Sequence, residues 1–162
     1  MRPTILGLTL AAAAGGCGGI DTPAAQPRST APVQGTWTVC NTVGFDEKRT
    51  LTFTGSNVTV ATTTYVGSGG TCTGAIQSFG SGGTTFSLGA DVTATLVTAS
   101  VTAQELTLNF DPTPEYTIAY VNTGATPALL YLGDLSATPG LDGTAPAKRP
   151  TVLDASWPYR KQ

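Results

Sequence analysis

The 162-residue chain contains no histidine. That absence removes Ser-His-Asp and Cys-His catalysis, imidazole general bases and every histidine-containing metal site. Charge is almost as scarce. Asp, Glu, Lys and Arg make up 11% of the residues, against roughly a quarter in an average soluble domain. The formal net charge of −2 carries no basic footprint, which argues against a nucleic-acid partner. Long hydrophobic runs are missing as well: the run from Ile5 to Ala14 stops well short of the roughly 20 residues that a membrane-spanning helix needs. In place of charge the chain carries 30 threonines, with 20 glycines and 11 prolines. Threonine favours strands, and glycine and proline punctuate them, so a long-helix protein is excluded.

The N-terminus follows the order of an export signal: Arg2, a short apolar stretch, then small residues leading into a cysteine. Ala14-Gly15-Gly16-Cys17 resembles the lipobox of bacterial lipoproteins. The resemblance implies that residues 1–16 are a lipoprotein signal peptide and that Cys17 is the lipidation site. A plain secretory signal with an incidental Cys17 is the alternative. Several acyl chains, each contributing about 0.8 kcal/mol per buried methylene, would anchor the chain durably in the cell envelope. Gly18 after the cysteine favours the outer membrane. Residues 17–33 then form a tether rich in Pro, Ala and Gly, too poor in large aliphatic residues to order itself. The folded domain is expected over residues 34–162.

From Gly35 onward the sequence turns to short apolar–polar alternations separated by turn residues. Arg49 to Phe53 alternates, and Thr54-Gly55-Ser56-Asn57 turns the chain. Val58 and Val60 share a face that Tyr65 does not, which calls for a β-bulge or a strand covered on both faces. Further strands are expected over residues 74–79, ended by Gly80-Ser81-Gly82-Gly83, and over 84–88, 92–101, 105–110, 116–120 and 128–132. Residues 136–150 are expected to wrap the outside, and Trp157 and Tyr159 to dock the tail back on the domain. The spacing predicts an all-β fold, an antiparallel up-and-down barrel of about 8–9 short strands, with a β-sandwich as the alternative.

With Cys17 assigned to lipid, Cys40 and Cys72 are an even pair in an exported chain, and a disulfide is expected. Gly35-Thr36-Trp37 resembles the opening of the lipocalin-like, or calycin-type, barrels, whose first-strand tryptophan plugs one end. Gly-Thr-Trp-x-x-Cys, Tyr131-Leu132-Gly133-Asp134 and Arg149-Pro150-Thr151 together are similar to motifs of a group of bacterial lipoproteins. Inward candidates for such a barrel are Trp37, Leu51, Phe53, Leu106, Leu108, Phe110, Ile118 and Tyr120.

Carboxylates are the remaining acid–base candidates. Asp46-Glu47-Lys48-Arg49 reads as a solvated, self-compensating loop. Asp134 and Asp142 lie in Gly-rich surroundings but lack calcium-loop spacing. Neither a metal site nor a cofactor is expected, nor is catalysis. Two functions remain. One is a lipid-anchored binding module that carries or senses a small apolar ligand. The other is a structural or protein-interaction domain of the cell envelope with a solid core.

Overall fold

The structure is a computed structural model that describes residues 31–42, 46–67 and 69–162. Cys17, the expected signal peptide and most of the expected tether lie outside the described residues. Eight strands form one closed antiparallel barrel in simple sequence order. They are β1 (Gly35–Asn41), β2 (Asp46–Thr54), β3 (Asn57–Val66), β4 (Ala75–Leu96), β5 (Ala99–Leu108), β6 (Glu115–Asn122), β7 (Leu129–Leu132) and β8 (Tyr159–Lys161). The barrel closes where β8 pairs with β7 on one side and β1 on the other, Trp37 lying opposite Lys161. The aromatic tail is thus the closing strand itself. This eight-stranded, up-and-down architecture is consistent with a calycin-type fold.

Alternation along each strand sorts the side chains. Trp37, Leu51, Phe53, Val58, Phe86, Leu106, Leu108, Ala119 and Leu130 point inward and pack as one core. Val33, the last residue of the expected tether, belongs to that core and is only 1% exposed. It sits in a single 3-10 turn, Ala31–Val33, whose carbonyl accepts the buried Trp37 indole N–H at 2.7 Å. One end of the barrel is thereby closed, with the Lys161 ammonium 5.3 Å from the centre of the indole.

Two stretches differ from the sequence expectation. Gly80-Ser81-Gly82-Gly83 does not end a strand but lies inside the 22-residue β4. That strand pairs with β3 through Thr85 and with β5 from Phe86 onward. Residues 92–101 are not one strand either: they are the tip of the β4–β5 hairpin, turning at Val97-Thr98. At Gly80–Gly83 the ladder hydrogen bonds to β3 outweigh glycine's low strand preference, whereas the turn at Val97-Thr98, with Val97 at φ +58°, carries no glycine or proline to mark it. The bulge expected near Tyr65 is present as a register shift between Thr64 and Tyr65.

Residues 133–153 lie against the outer wall, and two motifs of unassigned role meet there. A Cβ on Gly133 would run into the Pro150 ring and lie 2.8 Å from Thr117 Oγ1. Glycine is therefore needed where the two segments cross. Beside it, Arg149 Nη1 donates to the carbonyls of Leu106 (2.7 Å) and Thr117 (2.9 Å), and Nη2 to Thr107 Oγ1 (2.8 Å). The guanidinium also stacks over Tyr116 and lies 3.7 Å from Glu105. Thr95 exchanges backbone hydrogen bonds with Thr151 and Leu153, which ties the β4–β5 hairpin to the same segment.

Cys40 and Cys72 are joined by a disulfide. It holds the β3–β4 loop against the end of β1, and Gly70 N–H donates to Asp46 Oδ2 at 2.9 Å in the same contact. The 32-residue separation corresponds to about 3.5 kcal/mol in the loop-entropy account. Cys40→Ala/Cys72→Ala is expected to lose about that much stability in urea unfolding. Gly133→Ala is expected to cost about 1–3 kcal/mol by overpacking against Pro150, read in the same assay.

Candidate functional site

The open end of the barrel is chemically unlike the closed end. The alternation that buries Trp37, Leu51 and Phe53 continues outward along β1 and β2, and it places Val39, Asn41, Arg49 and Glu47 around the mouth. Glu115 and Thr117 come from β6, Leu132 from β7 and Tyr159 from β8. Leu135, Asp154 and Trp157, from the segments flanking β8 and β7, cover them. Together these residues border a half-open chamber of about 210 Å³.

Arg49 is the hub of this chamber. Its Nη2 lies 3.3 Å from Glu47 Oε1 and its guanidinium pairs with the Tyr159 hydroxyl. Burial works against the charge of Arg49, but Tyr159 and Glu47 outweigh it and hold the group above its ordinary pKa. Burial pushes the Glu115 carboxyl up, and the nearby Arg49 charge offsets only part of that rise. Burial also pushes the Tyr159 phenol up, with Arg49 acting in the opposite direction and the Asp154 and Glu47 charges adding to the rise. The chamber therefore sets one guanidinium against three carboxylates, Glu47, Glu115 and Asp154, beside two aromatic rings. Its carboxylates outnumber its one guanidinium three to one.

Outside the wall, Thr38, Cys40, Lys48, Arg160 and the disulfide loop border a second, shallower hollow of about 580 Å³. Trp157 lines both spaces. Elsewhere, Asp134 Oδ1 accepts from the N–H and hydroxyl of Ser136, and Asp142 Oδ1 does the same with Thr144. These bonds lower both carboxyl pKa values and hold each carboxylate in its own turn. Among the described residues, no group of three or more Cys, Asp or Glu side chains is placed to hold a metal ion.

Of the eight inward candidates, Trp37, Leu51, Phe53, Leu106 and Leu108 lie in the packed core and Phe110 packs against it. Ile118 and Tyr120 do not. The β5–β6 register sets Leu106 opposite Thr117, so β6 turns Thr117 and Ala119 inward and Ile118 and Tyr120 outward. There Ile118 packs with Ala94, Ala103 and Leu153, and Tyr120 stacks on Tyr131 at 6.0 Å. None of the eight borders the chamber.

Few of the residues that border it carry a signal in the sequence. Asp46 to Arg49 is the start of β2, not a solvated loop, and Glu47 and Arg49 share the face of Leu51 and Phe53. That alternation is visible in the sequence once the strand is extended by three residues. Glu115 and Asp154 carry no local signal, because only barrel closure brings them to Arg49. Compared with protein-family models, with curated proteins and with solved structures, the chain matches none.

The raised Glu115 pKa has a definite consequence for stability. A carboxyl that binds its proton more tightly in the folded than in the unfolded chain penalises folding above its folded pKa, and the penalty disappears below the ordinary value of 4.5. Glu115→Gln is therefore expected to melt at a higher temperature than the parent near about pH 7. The two melting temperatures are expected to converge near about pH 3, as differential scanning calorimetry would show.

Proposed function

We propose that the protein is a non-catalytic binding module of the cell envelope, lipid-anchored through Cys17, whose ligand occupies the polar mouth of the barrel. The observation that supports this reading is the division of the barrel interior. Below Arg49 the interior is packed with Trp37, Leu51, Phe53, Phe86, Leu106 and Leu130. Above it lies the 210 Å³ chamber with hydrogen-bonding walls. Buried polar groups need partners, and a half-covered carboxylate such as Glu115 gains from a ligand that supplies donors. The favoured ligand is therefore a small molecule rich in hydrogen-bond donors, an amine or a polyol, held against the Trp157 and Tyr159 rings. The expectation from sequence is an apolar ligand; the charged groups at the mouth favour a polar one.

The filled core also supports a second reading, a protein-interaction domain whose contacts lie on the outer surface. Native mass spectrometry of the full chain, purified from envelope under mild conditions, separates the two. A discrete added mass of a small polar molecule, lost in Glu115→Gln and in Arg49→Gln, is the expected result. A bare mass, or the mass of a fatty acid, would overturn the polar-ligand reading.

A further inference from the structure

Every charged residue of this chain lies outside positions 50–90. That span covers all of β3 and the first two-thirds of β4, and it includes a strand edge with no described neighbour. From Ala75 to Gly83, β4 pairs with β3 alone, since β5 begins its pairing only at Phe86. Two hydrogen bonds fix which backbone groups face that edge. Phe86 N–H donates to Ser56 on the β3 side, and Thr85 C=O accepts from Asn109 on the other side. Strand alternation then turns the N–H and C=O of Phe79 and Ser81 away from β3. All residues from Ala75 to Gly83 are exposed, with Ile76 at 62% and Phe79 at 66%; Val66 on β3 is 57% exposed.

Monomeric proteins guard such edges with lysine, proline, inward-pointing charge or a bulge; between Ala75 and Thr85 there is no lysine, proline or charge, and the one irregularity is the register shift at Gln77. The glycines carry a second, independent message. Gly80 and Gly82 have ordinary strand backbone, and a Cβ at either would meet nothing within 4 Å. Glycine within a strand costs about 0.5–1 kcal/mol relative to alanine. Nothing among the described residues requires it here, and glycine inside a strand often marks the close approach of another backbone.

The geometry points to a second copy of this chain as the occupant, its β4 lying antiparallel to the first across a two-fold axis at Gly80. In that register Phe79 of one copy faces Ser81 of the other, and the outward N–H and C=O groups of both are paired. The β3–β4 ladders of the two copies become one continuous sheet. The choice of a like partner rests on charge. An isologous contact sets each surface against itself, so any charge on it meets its own sign, and this is the stretch of the chain that carries none. Phe79 of each copy lies diagonally across from Phe79 of the other, two positions along the strand, and gains cover there. The proposal is independent of what the mouth chamber binds.

Sedimentation velocity of the full chain with its disulfide intact tests it. The expected result is a species of twice the chain mass. Ser81→Pro removes an N–H that β3 does not use, and Ser81→Lys places like charges on the two copies at the axis. Each is expected to raise the dimer dissociation constant at least about tenfold while leaving the thermal melt of the monomer in place. If Ser81→Pro fails to fold, Ser81→Lys alone decides. A monomeric parent chain would overturn the proposal, and so would a dimer indifferent to a folded variant. A parent chain that is monomeric but binds an added extended peptide along this edge would overturn the choice of occupant.

Discussion

A buried indole must find a partner for its N–H, and Trp37 finds the carbonyl of Val33. Much of the molecule follows from this one contact. It draws residues 31–33 across the end of the barrel, which closes that end and buries Val33. It fixes the largest side chain of the core against β8, where Lys161 lies over the ring. With Trp37 seated, Leu51, Phe53, Phe86 and Leu130 fill the rest of the section, and Phe53 and Phe86 meet edge to face at 4.9 Å. Polar residues on the same inward faces then have room only at the far end. The charged groups of the chamber stand where the packed core ends.

The second organising contact is Arg149. A guanidinium with 14% of its side chain exposed is costly to hold unless its donors are placed, and here three of them reach the β5–β6 wall. Its Nε is left with Glu105 at 3.7 Å as its nearest ionic partner. Such a group stabilises little on balance, but it specifies where the outer segment lies. Arg149 sets the segment along β5 and β6, Pro150 seats it in the gap left by Gly133, and Thr151 and Leu153 hold the tip of the β4–β5 hairpin. Two short motifs whose role was opaque are thus halves of one crossing.

The architecture was legible because its signals are local. Turn residues at Gly55 and alternation at Leu106, Leu108 and Phe110 mark strands without reference to anything distant. The disulfide was legible because two cysteines remained once Cys17 was set aside. Faces were harder. Ile118 and Tyr120 alternate as cleanly as Leu106 and Leu108, yet they lie outside, because a covering segment some 30 residues further on makes the outer face of β6 as apolar as the inner one. Periodicity gives alternation, not direction. The chamber was hardest of all. Glu47 and Arg49 lay within a readable strand, but Glu115, Asp154 and Tyr159 join them only through closure.

Closure itself is lopsided. Seven of the eight seams join strands that follow one another in the chain, while the eighth brings Trp37 to Lys161. β8 has three residues and only two paired positions with each neighbour. Hydrogen exchange along the barrel should therefore be uneven, fastest at this staple of three residues, where few backbone bonds separate the closed state from an open one. Tyr159 belongs to that staple and to the wall of the mouth chamber alike, so the weakest seam is also a doorway. Fraying of β8 would carry Tyr159 away from Arg49 and admit solvent to the space between them, so a ligand filling that space would hold the seam shut.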